Sequence, residues 1–172
     1  MRVLVTGGVR SGKSRHAEEL LAGRPEVVYV AAGPSRDDDP DWADRIAAHR
    51  ARRPATWSTL ESSDLPAALR GPEPVLVDCL GTWLNAVVDE RGLWDAPSAA
   101  VTRIVDGLLD DLVAALEQRD DVVLVTNEVG LGVIPEHRSG RLFRDLLGHV
   151  NQRVAAACDE VHLVVAGRVL IL

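Results

Sequence analysis

The chain has 172 residues, 47% of them hydrophobic, with 26 acidic residues against 19 basic ones and a formal net charge of −7. That length suits one domain with a full core, read here as spanning 1–172. The acidic balance repels phosphate backbones and speaks against nucleic acid as the main partner, and no apolar run approaches a membrane span.

Arg2-Val3-Leu4-Val5-Thr6 reads as a buried strand. The next eight residues, Gly7-Gly8-Val9-Arg10-Ser11-Gly12-Lys13-Ser14, fit G-x-x-x-x-G-K-[ST] without a mismatch, and Arg15 to Ala22 reads as a helix. This strand–loop–helix setting is what a phosphate-binding loop requires. Gly7 and Gly12 are expected to allow backbone conformations closed to other residues, so that successive N–H groups turn inward around a phosphate. The helix N-terminus adds partial positive charge. Lys13 brings a full charge to the β- and γ-phosphates, and Ser14 is placed to ligate Mg²⁺. Lys13 is the only lysine among the 19 basic residues, in a chain that uses arginine everywhere else. Because the loop follows the first strand so closely, the chain is expected to begin in structure and not in a signal peptide.

Val27 to Ala31 reads as the second strand, ending in the turn Ala32-Gly33-Pro34. Asp41 to Arg52 reads as a helix, with Trp42, Ile46 and His49 on one face, stopped by Pro54. Trp57 to Leu60 is a short strand, and Pro74 to Cys79 a buried strand carrying Asp78 near its end. Leu80 to Asp89 is helical, and Arg91 to Pro97 a loop. Val101, Ile104, Val105, Leu108, Leu109, Leu112 and Leu116 then mark one face of a long helix. Val122 to Thr126 is another apolar strand, followed by Asn127-Glu128-Val129-Gly130 and a loop to about Gly140. Leu142, Phe143, Leu146, Leu147, Val150 and Val154 mark the last helix. Val161 to Val165 is a strand joined by Ala166-Gly167 to Val169–Leu172, a connection too short for a crossover, so the last two strands must be antiparallel. The alternation predicts an α/β fold: a mostly parallel sheet with helices on both faces and an antiparallel C-terminal strand. Cys79 and Cys158 sit in or beside apolar runs and read as small core residues in a reduced setting, with the cytoplasm as the default compartment.

Several side chains carry candidate chemistry. Asp78 ends a hydrophobic strand as a Walker B acid does; it either holds Mg²⁺, directly or through water, or merely starts a turn. Glu128 also ends a strand, with substrate contact, water positioning and a structural pair all open. His49 is either a helix C-terminal cap or a nucleophile toward an α-phosphorus, activated by the surrounding Arg50, Arg52 and Arg53. Glu61 is either a surface carboxylate or an acceptor for the paired N–H donors of guanine. His16, His137, His149 and His162 are scattered and suggest no metal cluster.

Four blocks resemble one family. They are Val5 to Glu18; Arg45-Ile46-x-x-His49-Arg50-x-x-Arg53-Pro54-x-x-Trp57-x-Thr59-x-Glu61; Leu124 to Gly130; and Phe143-Arg144-Asp145 with Val150-Asn151-Gln152-Arg153. Together they resemble the bifunctional adenosylcobinamide kinase/adenosylcobinamide-phosphate guanylyltransferases of cobalamin biosynthesis. The resemblance covers essentially the whole chain. It implies a RecA-like P-loop fold and a homotrimer. It also implies two reactions: phosphorylation of adenosylcobinamide by ATP or GTP, then transfer of GMP from GTP through a guanylylated histidine to the cobinamide phosphate. His49 stands at the guanylylated position. The same resemblance implies nucleotide contacts from Ala31, Ala32, Gly33, from Arg50, Ala51, Arg52 and Arg53, and from Glu61. Some members carry Glu where Asp78 stands; the shorter side chain favours a water-bridged metal contact there. A small-molecule kinase with a structural His49, and an assembly ATPase of the same fold, are the readings from other classes.

Overall fold

The computed structural model describes residues 1–33 and 53–172. The expected helix over Asp41 to Arg52 lies outside the described residues, and with it Trp42, Ile46, His49, Arg50, Ala51 and Arg52. In chain order the elements are β1 (Arg2–Gly7), α1 (Lys13–Leu21), β2 (Val28–Ala31), β3 (Ser58–Glu61), α2 (Leu65–Ala68), β4 (Val75–Asp78), α3 (Leu80–Glu90), α4 (Ser98–Glu117), β5 (Val122–Val125), α5 (Arg138–Ala157), β6 (Glu160–Val165) and β7 (Arg168–Ile171).

The seven strands form one sheet in the order β3-β2-β4-β5-β1-β6-β7. Every pairing is parallel except β6 with β7, the mixed sheet expected from the two-residue link. That link holds Ala166 at φ 50 and Gly167 at φ 74, the doubly left-handed backbone of a tight hairpin turn.

Strand residues alternate between two cores because successive side chains leave a strand on opposite faces. Leu4, Val30, Val75, Val77, Val122 and Leu124 join the core under α3, α4 and α5. Val3, Val5, Tyr29, Leu76, Val123 and Val125 join a smaller core under α1, with Trp57. Helices therefore cover both faces, which is why these strands read as continuous apolar runs.

On α4, Val101, Val105, Leu109, Leu112 and Leu116 are fully buried. Ile104 departs from the expected stripe: it is 37% exposed, at the margin of the apolar face. The polar side of α4 is tied to α5 instead, through Asp106 to His149 and Asp110 to Arg153, both at 2.6 Å. Helix α5 starts at Arg138, inside the stretch expected to be loop, because its first turn is polar and carries no apolar period. The short α2 has no counterpart in the periodicity; Asp64 caps it by accepting the Ala67 N–H at 3.0 Å. Its neighbour Ser63 supplies the carbonyl that accepts the indole N–H of buried Trp83 at 3.0 Å.

Candidate active site

The loop between β1 and α1 is shaped by two different glycine requirements. Gly12 takes φ 98, a left-handed conformation that strains any residue with a Cβ, and forms the N-terminal boundary of α1 without a side-chain cap. Gly7 is needed for room instead. A Cβ there would lie 2.4 Å from the Val164 carbonyl oxygen and 2.7 Å from Ser11 Oγ. Gly8 has nothing within 4 Å of a built Cβ. The second non-helical residue at positive φ is Arg10, at φ 57, so the loop turns through a non-glycine position that motif matching leaves unassigned.

Lys13 opens α1 and is 5% exposed, its ammonium donating to the Gly8 carbonyl at 3.2 Å. Both groups line the same short arc of backbone, so the charge is held over the loop. Ser11 donates its N–H to the Gly8 carbonyl at 3.3 Å, and its hydroxyl accepts the Lys13 N–H at 3.4 Å. The loop also has a support from the far end of the chain. Gly167, in the β6–β7 turn, donates its N–H to the Ser11 carbonyl at 2.8 Å. Beneath the loop, His16 Nε2 lies 2.8 Å from His162 Nδ1, and His162 Nε2 lies 2.7 Å from the Glu160 carboxylate. With the carboxylate accepting, His162 carries its proton on Nε2 and accepts from His16. Burial and the neighbouring His162 push the His16 pKa down, against a smaller opposing effect of Glu19.

The parallel register aligns the expected site residues along the C-terminal edge of the sheet. Glu61 pairs with Ala31, Ala31 with Asp78, and Asp78 with Val125. One strand, β5, separates β4 with Asp78 from β1, which feeds the phosphate loop. This is the edge on which open α/β sheets bind ligands. Gly33, just past β2, is packed so closely on α3 that a Cβ would meet Thr82 Cγ2 at 2.3 Å.

Tyr29 joins two of the expected residues and was not among them. Its hydroxyl donates to Asp78 Oδ2 at 3.2 Å, and its ring lies under the Arg53 guanidinium, 3.6 Å from the ring centroid. Arg53 is steadied further by donating to Thr59 Oγ1 at 3.3 Å. Burial, and after it the Asp78 carboxylate, push the Tyr29 hydroxyl well above the usual phenol range, so it acts as a donor. Nothing in a lone apolar-strand tyrosine signals this role; only strand pairing of β2 with β4 brings it beside Asp78.

Glu128 follows β5 and its carboxylate accepts the Gly130 N–H at 2.7 Å, while its own backbone N–H donates to the Gly7 carbonyl at 3.1 Å. Of its three open readings, the structural pair has a contact in hand. Asn151 on α5 accepts from the Thr126 hydroxyl at 2.6 Å and donates to the Asn127 carbonyl at 3.1 Å. Two of the sequence blocks, Leu124 to Gly130 and Val150 to Arg153, are thus one unit that holds the exit of β5 against the phosphate loop.

Ser14 and Asp78 are oxygen donors, the ligand type of a hard divalent cation such as Mg²⁺. Among the described residues no group of three His, Cys, Asp or Glu side chains could hold a metal by itself. A cation at this site would have to take further ligands from phosphate oxygens and water, as Mg²⁺ does in P-loop enzymes. Cys79 and Cys158 are free thiols, both pushed up by burial, Cys158 to about 12. Among the described residues, no helix is long and apolar enough to cross a membrane.

Among solved structures, the chain is similar to an ATPase of the type III secretion system of pathogenic bacteria. That match has a TM-score of 0.54 at 11% identity and covers 94% of this chain and 50% of the other. At that identity the likeness speaks for the fold alone, a RecA-like P-loop fold. The one-strand spacing between the Walker A loop and the Asp78 strand agrees with it. Sequence relatives are closer. The bifunctional adenosylcobalamin biosynthesis protein CobU of Salmonella typhimurium is 44% identical, with 97% of each chain covered. CobU of Escherichia coli is 41% identical, also with 97% of each chain covered. CobP of Pseudomonas aeruginosa is 41% identical, covering 97% of this chain and 94% of its own. Residues 3–172 match the family described as cobinamide kinase / cobinamide phosphate guanyltransferase, and the chain belongs to that family.

Proposed function

We propose that this chain carries out both reactions of its family, phosphorylating adenosylcobinamide with ATP or GTP and then forming adenosylcobinamide-GDP with GMP taken from GTP. The observation that carries this reading is a well-formed phosphate loop sharing the sheet's C-terminal edge with Asp78 and Glu61, in a chain 41% to 44% identical to bifunctional relatives. The Gly7–Ser14 loop and Lys13 hold the triphosphate. Ser14 and Asp78 would hold Mg²⁺, Asp78 directly or through water, and the ion would neutralise charge on the β- and γ-phosphate oxygens.

In the kinase reaction the corrinoid hydroxyl oxygen bonds to the γ-phosphorus, the bond to the β-phosphate oxygen breaks, and the hydroxyl proton leaves to solvent. Lys13 stabilises charge on the phosphoryl group as it moves. In the second reaction an imidazole nitrogen of His49 bonds to the α-phosphorus of GTP and pyrophosphate leaves. A phosphate oxygen of the cobinamide phosphate then displaces the imidazole from the same phosphorus. Arg53, held on Tyr29, follows His49 by four residues in the sequence, and with Arg50 and Arg52 supplies positive charge for the phosphates. Glu61, with Ala31 to Gly33 beside it, reads the guanine edge. The family resemblance implies a homotrimer, and the edge strands β3 and β7, in which every residue is exposed, leave surface for contact between copies; light scattering at micromolar concentration checks it, with a mass near three chains expected.

The decisive experiment is incubation with GTP labelled in the α-phosphate. The wild-type chain should retain label through a P–N bond, acid-labile and alkali-stable. His49→Ala should retain none while keeping much of the kinase reaction. Covalent label on His49→Ala, or label mapped to another histidine, would overturn the assignment.

A further inference from the structure

The loop between β5 and α5 carries the two most exposed large apolar side chains of the described surface, Val133 and Leu131. Leu131 is 88% exposed, Val133 95% and Ile134 68%, with Val129 at 37% at its base. Val9, on the neighbouring phosphate loop, is 77% exposed. Side chains of this kind normally turn inward, and a group of them left in water marks a binding surface.

This loop is braced at both ends. The Glu128 backbone ties its start to Gly7, and the Glu128 carboxylate closes the turn at Gly130. Arg144 donates to the Gly130 carbonyl at 2.6 Å, and Arg141 donates to the carbonyls of Pro135 and Glu136 at 3.0 and 2.5 Å. Both arginines project from the first turns of α5, so the apolar tip stands on a fixed frame and is presented outward.

We infer that residues 129–134 are the docking element for the corrinoid, the acceptor of both transfers, and that Leu131, Val133 and Ile134 cover an apolar face of its macrocycle. The inference rests on the function proposed above, and adds where the acceptor sits. Position argues for the acceptor. The loop leaves β5, the strand beside β1, and is bonded to the phosphate loop itself, so whatever rests on it lies next to the γ-phosphate. Chemistry argues the same way: a corrinoid is a large ring with methyl-bearing faces and amide-bearing arms, suited to an apolar tip rimmed by polar backbone. A second copy of this chain has a better place at β7, an edge strand with Val169, Leu170 and Ile171 exposed and one side of its backbone open to pairing.

The test compares the full-length wild type with Leu131→Ser/Val133→Ser/Ile134→Ser and with Val133→Ser alone. Equilibrium dialysis reads adenosylcobinamide affinity by its visible absorbance, a fluorescent ATP analogue reads the phosphate loop, and light scattering reads the mass. The triple variant should bind adenosylcobinamide about tenfold or more weakly, with a matching rise in its KM, given what lost apolar contacts do to small-ligand recognition. ATP affinity and mass should stay at wild-type values. Val133→Ser, which removes a side chain 95% exposed and cannot unsettle the core, should show a smaller loss in the same direction. Unchanged corrinoid affinity, an equal loss for ATP, or a fall in mass without a corrinoid effect would each overturn the docking assignment. A wild-type chain that binds ATP but no adenosylcobinamide would overturn the proposed function itself, and the docking assignment with it.

Discussion

The phosphate loop permits a prediction in which two glycines of one motif behave oppositely. Replacing Gly7 with Ala places a Cβ 2.4 Å from the Val164 carbonyl oxygen, inside the 3.0 Å that such contacts essentially never breach. Ser11 Oγ, the second neighbour at 2.7 Å, can rotate away. The carbonyl cannot, because Val164 is registered against Gly7 in the β1–β6 pairing and belongs to the sheet. Relief requires β1 and β6 to shift, an overpacking cost of about 1–3 kcal/mol. For a domain of this size that corresponds to a fall in Tm of roughly 2–12 °C. Gly8→Ala meets nothing within 4 Å and should stay within about 0.5 kcal/mol of wild type. Gly12→Ala should lose about 1–2 kcal/mol by a third route, backbone strain at φ 98, since its nearest neighbour would sit at an ordinary 3.5 Å. Urea unfolding followed by tryptophan fluorescence, without nucleotide, measures all three. Equal midpoints for Gly7→Ala and Gly8→Ala would refute the steric argument.

Three further outcomes are expected. Lys13→Ala should weaken triphosphate binding by about 2–5 kcal/mol and depress both reactions together, because one buried ammonium serves both; titration with a fluorescent nucleotide and the two activity assays check it, and wild-type activity in either reaction would exclude a shared phosphate site. Glu61→Gln should weaken GTP more than ATP, since an amide presents a donor where guanine needs two acceptors; paired KM measurements decide it, and an equal loss for both nucleotides would make Glu61 a surface carboxylate. The His16 pKa is lowered on folding, so the unfolded chain binds the extra proton between that lowered value and the ordinary 6.5. Stability should therefore rise with pH through that window and fall as pH drops below about 6.5. The slope of the urea midpoint against pH between 7 and 5 should be shallower in His16→Gln; an unchanged slope would remove the His16–His162–Glu160 chain from the account.

Much of this protein was determined locally and is readable as sequence. The phosphate-loop motif is a run of eight contiguous residues, so its place between β1 and α1 and the left-handed turn at Gly12 are legible in the sequence, while Arg10 at φ 57 is not. The antiparallel final strand follows from chain length alone, because two residues cannot carry a crossover. The buried strands and the long helix follow from apolar periods, with Ile104 showing the limit of that signal: periodicity marks a face, while the neighbouring helix decides where the face ends. What only the tertiary structure decided is every relation between segments distant in sequence. Gly7 is glycine for room against Val164, a residue distant in sequence that the β1–β6 pairing sets directly beside it. Tyr29 reaches Asp78 and Arg53 because β2 pairs with β4. Asn151 holds the exit of β5, and the turn at Gly167 supports Ser11, across separations that leave no trace in local pattern. Hydrogen bonds of this kind depend on distance in space, and a single sequence records only distance along the chain.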